Sequence, residues 1–235
     1  MDATETIQDR LTSIRARITR AEREFGRAPG SVQLLAVSKT VPVKQVHDAF
    51  LCGQRQFGEN YLQEAMSKMT DPMLARAGLE WHFIGTLQSN KTHKIAHYFN
   101  WVHTIDRLSI AQRLNDQRPA QLPPLNICLQ VNSSGEASKG GVDMEHLPSL
   151  AAAVARLPRL RLRGLMTIPQ ATTDFDQQRL PLRRVREAWE RLRDSGLPLD
   201  TLSMGMSDDL EAAIAEGATL VRIGTAIFGK RVKSP

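Results

Sequence analysis

Lys39 stands where a primary amine could do covalent chemistry. It follows the apolar run Leu34–Val37 and is separated from that run only by Ser38. A lysine at the end of a strand is ordinarily a solvated residue. If the strand opens into the mouth of a closed barrel, partial burial lowers the pKa of such an amine, because the ammonium form loses hydration. The uncharged amine is then a nucleophile toward an aldehyde, and the product is a Schiff base.

A second chemically suggestive group follows the last two apolar segments of the chain. Gly205 and Ser207 come after one of them, and Gly224 comes after the other. Glycines let backbone N–H groups approach an anion closely, and a serine that caps a helix also donates to a phosphate oxygen. The spacing therefore predicts a phosphate site. Asp208 and Asp209 are expected to complement the helix dipole and to point away from the anion.

Arg222 is unusual because it interrupts the apolar run Leu220–Ile223. Side chains of a barrel strand alternate between the interior and the exterior. An arginine on the interior face needs a partner, since an unpaired buried charge is costly. A pyridine nitrogen or a phosphate would serve, and so would a carboxylate on a neighbouring strand. The sequence leaves both kinds of partner open.

Polar residues also follow the second, third and fifth predicted strands. Asn60 and Asn90 follow the second and third, where an asparagine ordinarily caps a helix or forms a turn. The segment Asn132–Gly141 follows the fifth and is rich in glycine and polar residues. That composition is typical of a mobile loop at the mouth of a barrel.

The elements that must position these residues follow from an alternation of short apolar segments with amphipathic ones. The predicted strands are Leu34–Ser38, Gln56–Gly58, His82–Gly85, Trp101–Ile105, Leu125–Val131, Leu165–Ile168, Thr201–Met204 and Leu220–Ile223. The helices predicted between them are Val43–Leu51, Leu62–Met69, Lys91–Ala96, Leu108–Asp116, Glu145–Arg156, Arg179–Asp194 and Asp208–Glu216. A further helix precedes the first strand, because Ile7, Leu11, Ile14 and Ile18 recur on one helical face.

This order of elements predicts an α/β fold. Strands that alternate with helices favour parallel βαβ units, and eight such units close most naturally into a barrel. We therefore expect residues 1–235 to form a single domain, a (β/α)8 TIM barrel with an extra N-terminal helix. A doubly wound open sheet is the main alternative, but no Gly-x-Gly-x-x-Gly turn follows the first strand. In a barrel, the active site lies at the carboxyl ends of the strands.

Composition argues against several other classes of protein. Of the 235 residues, 41% are hydrophobic and 24% are charged, which is ordinary for a globular protein. The net charge is +6, but the arginines alternate with acidic residues on predicted helices, so nucleic acid is not the expected partner. Cys52 and Cys128 have no partner at metal-ligand spacing. No apolar run approaches the roughly 18 residues of a membrane span, and no signal peptide is recognised, so we expect a cytoplasmic protein.

Six segments, taken together, resemble the pyridoxal phosphate homeostasis protein family over nearly the whole chain. They are Ala36–Lys39, Phe57–Tyr61, Trp81–Lys91, Gly164–Ile168, Ser203–Asp209 and Val221–Gly229. Each segment is a weak signal alone, whereas the set is highly specific. The resemblance implies a barrel like the N-terminal domain of alanine racemase and a bound pyridoxal 5′-phosphate (PLP).

The resemblance also implies roles for individual residues. Lys39 matches the family's Schiff-base lysine, and Arg222 matches the arginine that faces the pyridine nitrogen. Ser207, Gly224 and Thr225 match the phosphate-binding positions. The cofactor-binding residues are accordingly expected to be Lys39, Asn60, Met166, Ser203, Ser207, Arg222, Gly224 and Thr225. Members of the family are thought to hold, carry or buffer PLP, so PLP-dependent apo-enzymes are the expected partners.

A PLP-dependent amino-acid racemase is the alternative function. Such an enzyme needs a second acid–base group on the other face of the substrate α-carbon. Racemases that resemble this barrel take a tyrosine for that purpose from an additional β-domain, whereas Tyr61 and Tyr98 both lie early in this chain. An arginine against the pyridine nitrogen also disfavours protonation of the ring, which weakens it as an electron sink. We therefore predict a monomeric PLP-binding protein of intracellular vitamin B6 homeostasis, without catalytic turnover.

Overall fold

The short apolar segments of the sequence form the strands of a closed parallel sheet. In the computed structural model, which describes residues 5–134 and 140–229, eight strands follow one another around a barrel in chain order. They are β1 Gln33–Val37, β2 Gln56–Glu59, β3 Glu80–Phe83, β4 Trp101–Ile105, β5 Leu125–Gln130, β6 Leu160–Met166, β7 Thr201–Ser203 and β8 Leu220–Ile223. The barrel closes where β1 pairs with β8, with Leu35 opposite Arg222.

Helices alternate with these strands along the chain. They are α1 Ile7–Glu24, α2 Val43–Leu51, α3 Leu62–Thr70, α4 Thr92–Tyr98, α5 Leu108–Gln117, α6 Leu147–Val154, α7 Phe175–Asp194, α8 Leu210–Ala215 and α9 Thr225–Phe228. The first of them starts at a capping box formed by Thr6 and Asp9. Arg17 ties it to α8 through two hydrogen bonds of 2.6 Å to Glu211. The prediction of a (β/α)8 barrel with an extra N-terminal helix is confirmed.

A small and partly polar set of side chains fills the inside of the barrel. Trp101, Cys128 and Met166 form an apolar cluster separate from the main core. The buried polar side chains of the barrel strands include His82, His103, Ser203 and Arg222. Because β4 and β7 are not neighbours, the 2.8 Å contact between His103 and Ser203 has to cross the barrel interior. Polar groups therefore reach the mouth of the barrel from within.

The bounds of most elements agree with the predictions to within two residues, and three elements differ by more. β6 begins at Leu160 rather than at the predicted Leu165. The sequence concealed its first residues because buried and more exposed side chains alternate there, Arg161 and Arg163 among them, so that they form no apolar run. α7 begins at Phe175 rather than Arg179, since the side chain of Asp174 caps it by accepting the N–H of Gln177 at 2.8 Å. α9 was not predicted, because its four residues are too few to show a helical periodicity.

The predicted mouth loop Asn132–Gly141 is described only at its two ends, since residues 135–139 lie outside the described residues. Val131 and Val142 pair in a parallel bridge at its base. The organisation of residues 1–235 as a single domain stays a prediction. Over residues 5–134 and 140–229, no helix has both the length and the apolar character needed to cross a membrane.

Candidate functional site

A cavity of about 760 Å³ opens at the carboxyl ends of the strands. Its wall includes seven of the eight predicted cofactor-binding residues, namely Lys39, Asn60, Met166, Ser207, Arg222, Gly224 and Thr225. Ser203 is the exception, because it is fully buried and contacts Arg222 instead of lining the cavity. Closure of the sheet brings this group together, since it makes β8 the neighbour of β1.

A tight turn after β1 holds Lys39 on the cavity wall. The carbonyl of Ser38 accepts the N–H of Val41 at 3.0 Å, so Lys39 and Thr40 are the central residues of the turn. Thr40 has a φ of 61°, in the left-handed region that a β-branched residue rarely adopts. Its N–H donates to Glu64 at 2.8 Å and its hydroxyl donates to the Lys39 carbonyl at 2.6 Å. These contacts hold a strained backbone beside the half-buried Lys39.

A buried ion pair lies directly behind this turn. Lys68 of α3 donates to Glu59 of β2 at 2.7 Å and to the carbonyl of Ser38 at 2.6 Å. The Ser38 hydroxyl donates to the same Glu59 oxygen at 2.6 Å, while the other carboxylate oxygen has no partner among the described residues. Burial raises the pKa of the Glu59 carboxyl, and Lys68 opposes that shift. The pair therefore fixes the strand end that carries Lys39.

Arg222 lines the cavity from inside the barrel and is 4% exposed. Its Nη1 donates to the carbonyl of Ser203 at 2.6 Å and to the Ser203 hydroxyl at 2.9 Å, and its Nη2 donates to the carbonyl of Thr167 at 2.8 Å. These bonds use three of the five N–H groups of a guanidinium. No carboxylate in the described part of the chain forms a salt bridge with Arg222, so the neighbouring-strand carboxylate is not its partner there. Burial lowers the pKa of Arg222 to about 10, which leaves it charged at neutral pH.

Hydrogen-bond donors cluster where the loops after β7 and β8 meet. Ser207, Gly224 and Thr225 line the cavity here, and none of their backbone N–H groups donates to another residue in the described ranges. The hydroxyls of Ser207 and Thr225 are further donors. Gly224 approaches β1 so closely that a Cβ on it would lie 3.1 Å from the carbonyl oxygen of Val37. This end of the cavity, suited to an anion, therefore lies beside the turn that carries Lys39.

The two aspartates after Ser207 differ in their positions. Asp209 is 8% exposed, and its carboxylate accepts the N–H of Met206 at 2.6 Å. It is therefore turned into its own loop, as expected from the sequence. Asp208 is instead among the residues that line the cavity. The expectation that both aspartates point away from the anion is therefore supported for Asp209, and for Asp208 it stays a prediction.

Gly205→Ala is expected to lower the free energy of unfolding by about 2–5 kcal/mol. Alanine would be strained in the left-handed backbone conformation of this residue, and its methyl group would overpack the neighbouring side chain. Gly205 has a φ of 96°, and a Cβ on it would lie 2.6 Å from the Cβ of Ala213. Gly217→Ala is the matched control, because Gly217 has a φ of 90° but its nearest neighbour, in Arg186, would be 3.4 Å away. Urea denaturation measures both variants, and equal losses would contradict a packing role for Gly205.

Asn60 borders the cavity with a buried Oδ1 that has no hydrogen-bond partner among the described residues. Buried polar atoms are ordinarily paired, so this oxygen is suited to accept a hydrogen bond from a ligand. Its backbone is held tightly, since a Cβ on Gly85 would lie 2.0 Å from the Asn60 carbonyl oxygen. The N-cap residues of α3 and α4 are Tyr61 and Lys91, so neither Asn60 nor the exposed Asn90 caps a helix.

Several residues of the cavity wall were not predicted from the sequence. They include Thr40, Gln45, Ile84, Ile168, Met206 and Phe228. Ile168 and Met206 are exposed apolar residues that closely follow β6 and β7, and that position is the signal that could have identified them. Gln45 lies on α2 and carried no such signal, because a helix residue faces the mouth only through the packing of its helix.

Comparison with known proteins assigns this barrel to a family. The family described as the alanine racemase N-terminal domain matches residues 10–232 of the chain. A pyridoxal phosphate homeostasis protein of Pseudomonas aeruginosa is 60% identical over 226 residues, which cover 96% of each protein. A protein of the same name from Escherichia coli is 54% identical over 226 residues, which cover 96% of this chain and 97% of that protein.

A solved structure agrees with both the sequence match and the fold. PipY of Synechococcus elongatus, solved with PLP bound, superposes on this chain with a TM-score of 0.84 at 34% sequence identity. The match covers 95% of this chain and 100% of PipY. By sequence over nearly its full length and by the architecture of its barrel, the chain belongs to the pyridoxal phosphate homeostasis proteins, within the family of the alanine racemase N-terminal domain.

Proposed function

We propose that this protein binds PLP in the cavity at the barrel mouth, holds it as a Schiff base on Lys39 and serves intracellular vitamin B6 homeostasis. The observation that carries the proposal is the convergence of three features in one cavity: a half-buried amine, a cluster of N–H and hydroxyl donors, and a buried guanidinium. These features correspond to the aldehyde, the phosphate and the pyridine ring of the cofactor. PipY, which shares this fold, was solved with PLP bound, and that supports the same assignment.

The residues present in the cavity fit each part of PLP. Ser207, Gly224 and Thr225 would hold the phosphate through backbone N–H groups and hydroxyls. Met166 offers a polarizable contact to the ring, and Asn60 offers a buried acceptor. When bound, the cofactor supplies an electrophilic aldehyde carbon. The protein's part is to orient the phosphate and the ring and to present the amine of Lys39 to that carbon.

Arg222 favours reversible attachment over turnover. Three hydrogen bonds hold its guanidinium in place, and a pKa of about 10 keeps it charged at neutral pH. A charged donor against the ring nitrogen disfavours protonation of that nitrogen by like-charge repulsion. An unprotonated ring withdraws electrons less strongly, so chemistry at a substrate α-carbon would be slow. The site therefore suits a carrier of PLP.

A PLP-dependent racemase is the second candidate function, and the match to the alanine racemase N-terminal domain favours it. This reaction requires an acid–base group opposite Lys39. Tyr61 and Tyr98 are 56% and 52% exposed, and neither lines the cavity. We therefore infer that the protein is not a racemase, and the charged Arg222 supports the wider proposal that it binds PLP without turnover.

One assay separates the carrier function from the racemase function. Protein loaded with PLP is incubated with L-alanine or D-alanine, and the two enantiomers are followed by chiral chromatography. We expect no interconversion above that caused by free PLP, because no tyrosine of the described residues lines the cavity to carry out the second proton transfer. An authentic alanine racemase is the positive control. Racemisation well above the rate of free PLP would contradict the carrier function.

The binding of PLP is checked first with the same preparation. Protein mixed with PLP and passed through a desalting column should retain the yellow cofactor, and borohydride should fix it covalently. A preparation that retains no PLP would contradict the proposed function as a whole. Delivery of PLP to apo-enzymes, a monomeric state and a cytoplasmic location stay predictions.

A further inference from the structure

The residues that hold Arg222 belong to a longer chain of hydrogen bonds. Arg222 Nη1 donates to Ser203 Oγ at 2.9 Å, and Ser203 Oγ lies 2.8 Å from Nδ1 of His103. Nε2 of His103 lies 2.9 Å from Nδ1 of His82. The four residues come from β8, β7, β4 and β3, so the chain crosses the interior of the barrel. Only its Arg222 end reaches the cavity.

Both imidazoles of this chain are sealed from water and uncharged. His82 and His103 are 0% exposed. Burial lowers the pKa of His82 to about 3 and lowers the pKa of His103 well below its usual value, and the His82 and Arg222 side chains lower the latter further. The ring of His82 also stacks on Trp101 at a centroid distance of 5.3 Å. Each imidazole therefore carries one ring proton, whose position is decided by its neighbours.

One placement of these protons pairs every group of this chain except Nε2 of His82, which has no hydrogen-bond partner among the described residues. Arg222 can only donate, so the Ser203 hydroxyl gives its own proton to Nδ1 of His103. His103 then carries its proton on Nε2 and donates it to Nδ1 of His82, which in turn carries its proton on Nε2. That last N–H faces Glu80, whose Oε1 lies 3.9 Å away. The reverse order leaves the Ser203 proton without an acceptor among the described contacts and turns a lone pair of His82 toward a carboxylate.

We propose that Ser203 and His103 are positioning residues for Arg222, ordered by this run of Nε2-protonated imidazoles. Because the Ser203 hydroxyl donates its proton to His103, it presents a lone pair to the guanidinium of Arg222. This hydrogen bond holds the guanidinium plane in one orientation on the cavity wall. With respect to the cofactor, this inference rests on the proposed function, which places the pyridine ring of PLP against Arg222. It also gives Ser203 a role, although that residue does not line the cavity.

The order of protons is tested on the wild-type protein without cofactor. Nitrogen NMR of labelled histidine side chains distinguishes protonated from unprotonated ring nitrogens, and His82→Gln and His103→Gln assign the two sets of signals. We expect protonated Nε2 and unprotonated Nδ1 in both residues. A protonated Nδ1 in His103 would overturn the proposed order. Because this measurement needs no PLP, its outcome is separate from that of the proposed function.

The positioning role is tested with Ser203→Ala, which removes one hydroxyl group and otherwise keeps the side chain almost the same size. The guanidinium N–H signals of Arg222 should be resolved individually in the wild type and averaged by rotation in the variant. The dissociation constant for PLP should rise about tenfold, the factor expected when a hydrogen bond to a charged group is lost. His103→Phe should behave in the same way. In His103→Gln the dissociation constant for PLP should stay within about twofold of the wild-type value, because the glutamine amide can accept a hydrogen bond from Ser203 and donate one to His82.

His97→Gln is the matched control, since His97 lies on α4 outside this chain of hydrogen bonds and its replacement should leave both measurements unchanged. Unaltered Arg222 signals together with unaltered PLP affinity in Ser203→Ala would overturn the positioning role, whether or not His103→Phe folds. If the wild-type protein fails to bind PLP, the proposed function is wrong, and the Arg222 signals still decide whether Ser203 positions the guanidinium.

Discussion

Lys39→Ala is expected to abolish covalent attachment of PLP, reducing it from one cofactor per chain to none. Lys39 lies on the wall of the cavity, and the methyl group of alanine has no nucleophilic atom to replace its amine. The donors at the anion end and Arg222 are unchanged in this variant, so PLP should still bind, but noncovalently and more weakly. Borohydride reduction followed by mass spectrometry of the intact protein measures the covalent fraction.

Lys44→Ala is the matched control for this experiment. Lys44 lies near the start of α2 with 78% of its side chain exposed, and its ion pair with Asp48 is on the surface. We expect full attachment in this variant. Lys68 is not a substitute for Lys39, because its ammonium is buried and bonded to Ser38 and Glu59. An undiminished adduct in Lys39→Ala, mapped to another lysine, would contradict the assignment of the Schiff base.

Lys68→Met is expected to lower the free energy of unfolding by about 3–5 kcal/mol, as is typical when one partner of a buried ion pair is removed. The side chains of Lys68 and Glu59 are 6% and 0% exposed, so the remaining carboxylate would be buried without its cation. The carbonyl of Ser38 would also lose a donor at 2.6 Å. Urea denaturation followed by circular dichroism measures the change. Adding Glu59→Gln should recover much of the loss, because it removes the unpaired charge.

The loss in free energy of unfolding caused by Lys68→Met should depend on pH. Burial already raises the folded-state pKa of Glu59, and the variant lacks the lysine that opposes this shift. A carboxyl with a raised folded-state pKa contributes fully to stability below its unfolded pKa, and the contribution is lost as pH rises through the folded-state value. The variant should therefore be less destabilised at about pH 5 than at about pH 8.

Two results would count against this account of the ion pair. An equal loss of stability at both pH values would mean that Glu59 is not the group responsible. A comparable loss in Lys44→Met would mean that the method does not distinguish buried pairs from exposed ones, because exposed pairs such as Lys44 with Asp48 contribute little.

Much of the fold was predictable from the sequence because burial leaves a periodic signature. Barrel strands that are covered on both faces appear as short apolar runs, and the helices between them alternate at a helical period. The prediction was less accurate where polar residues enter an element. Arg161 and Arg163 concealed the start of β6, and α9 is too short to have a period.

The sequence by itself determined which chemical groups stand at the strand ends: the amine of Lys39, the donors of Ser207, Gly224 and Thr225, and the guanidinium of Arg222. Parallel strands all end on the same side of a barrel, so the order of the strands along the chain is enough to assign these residues to one site. Only the tertiary structure decided their partners. In the sequence Lys68 is indistinguishable from an ordinary helix lysine, yet its side chain is buried against Glu59. His103 contacts Ser203, which lies 100 residues away in the chain. Such contacts depend on how the closed sheet sets its strands against one another, which no local pattern of residues encodes.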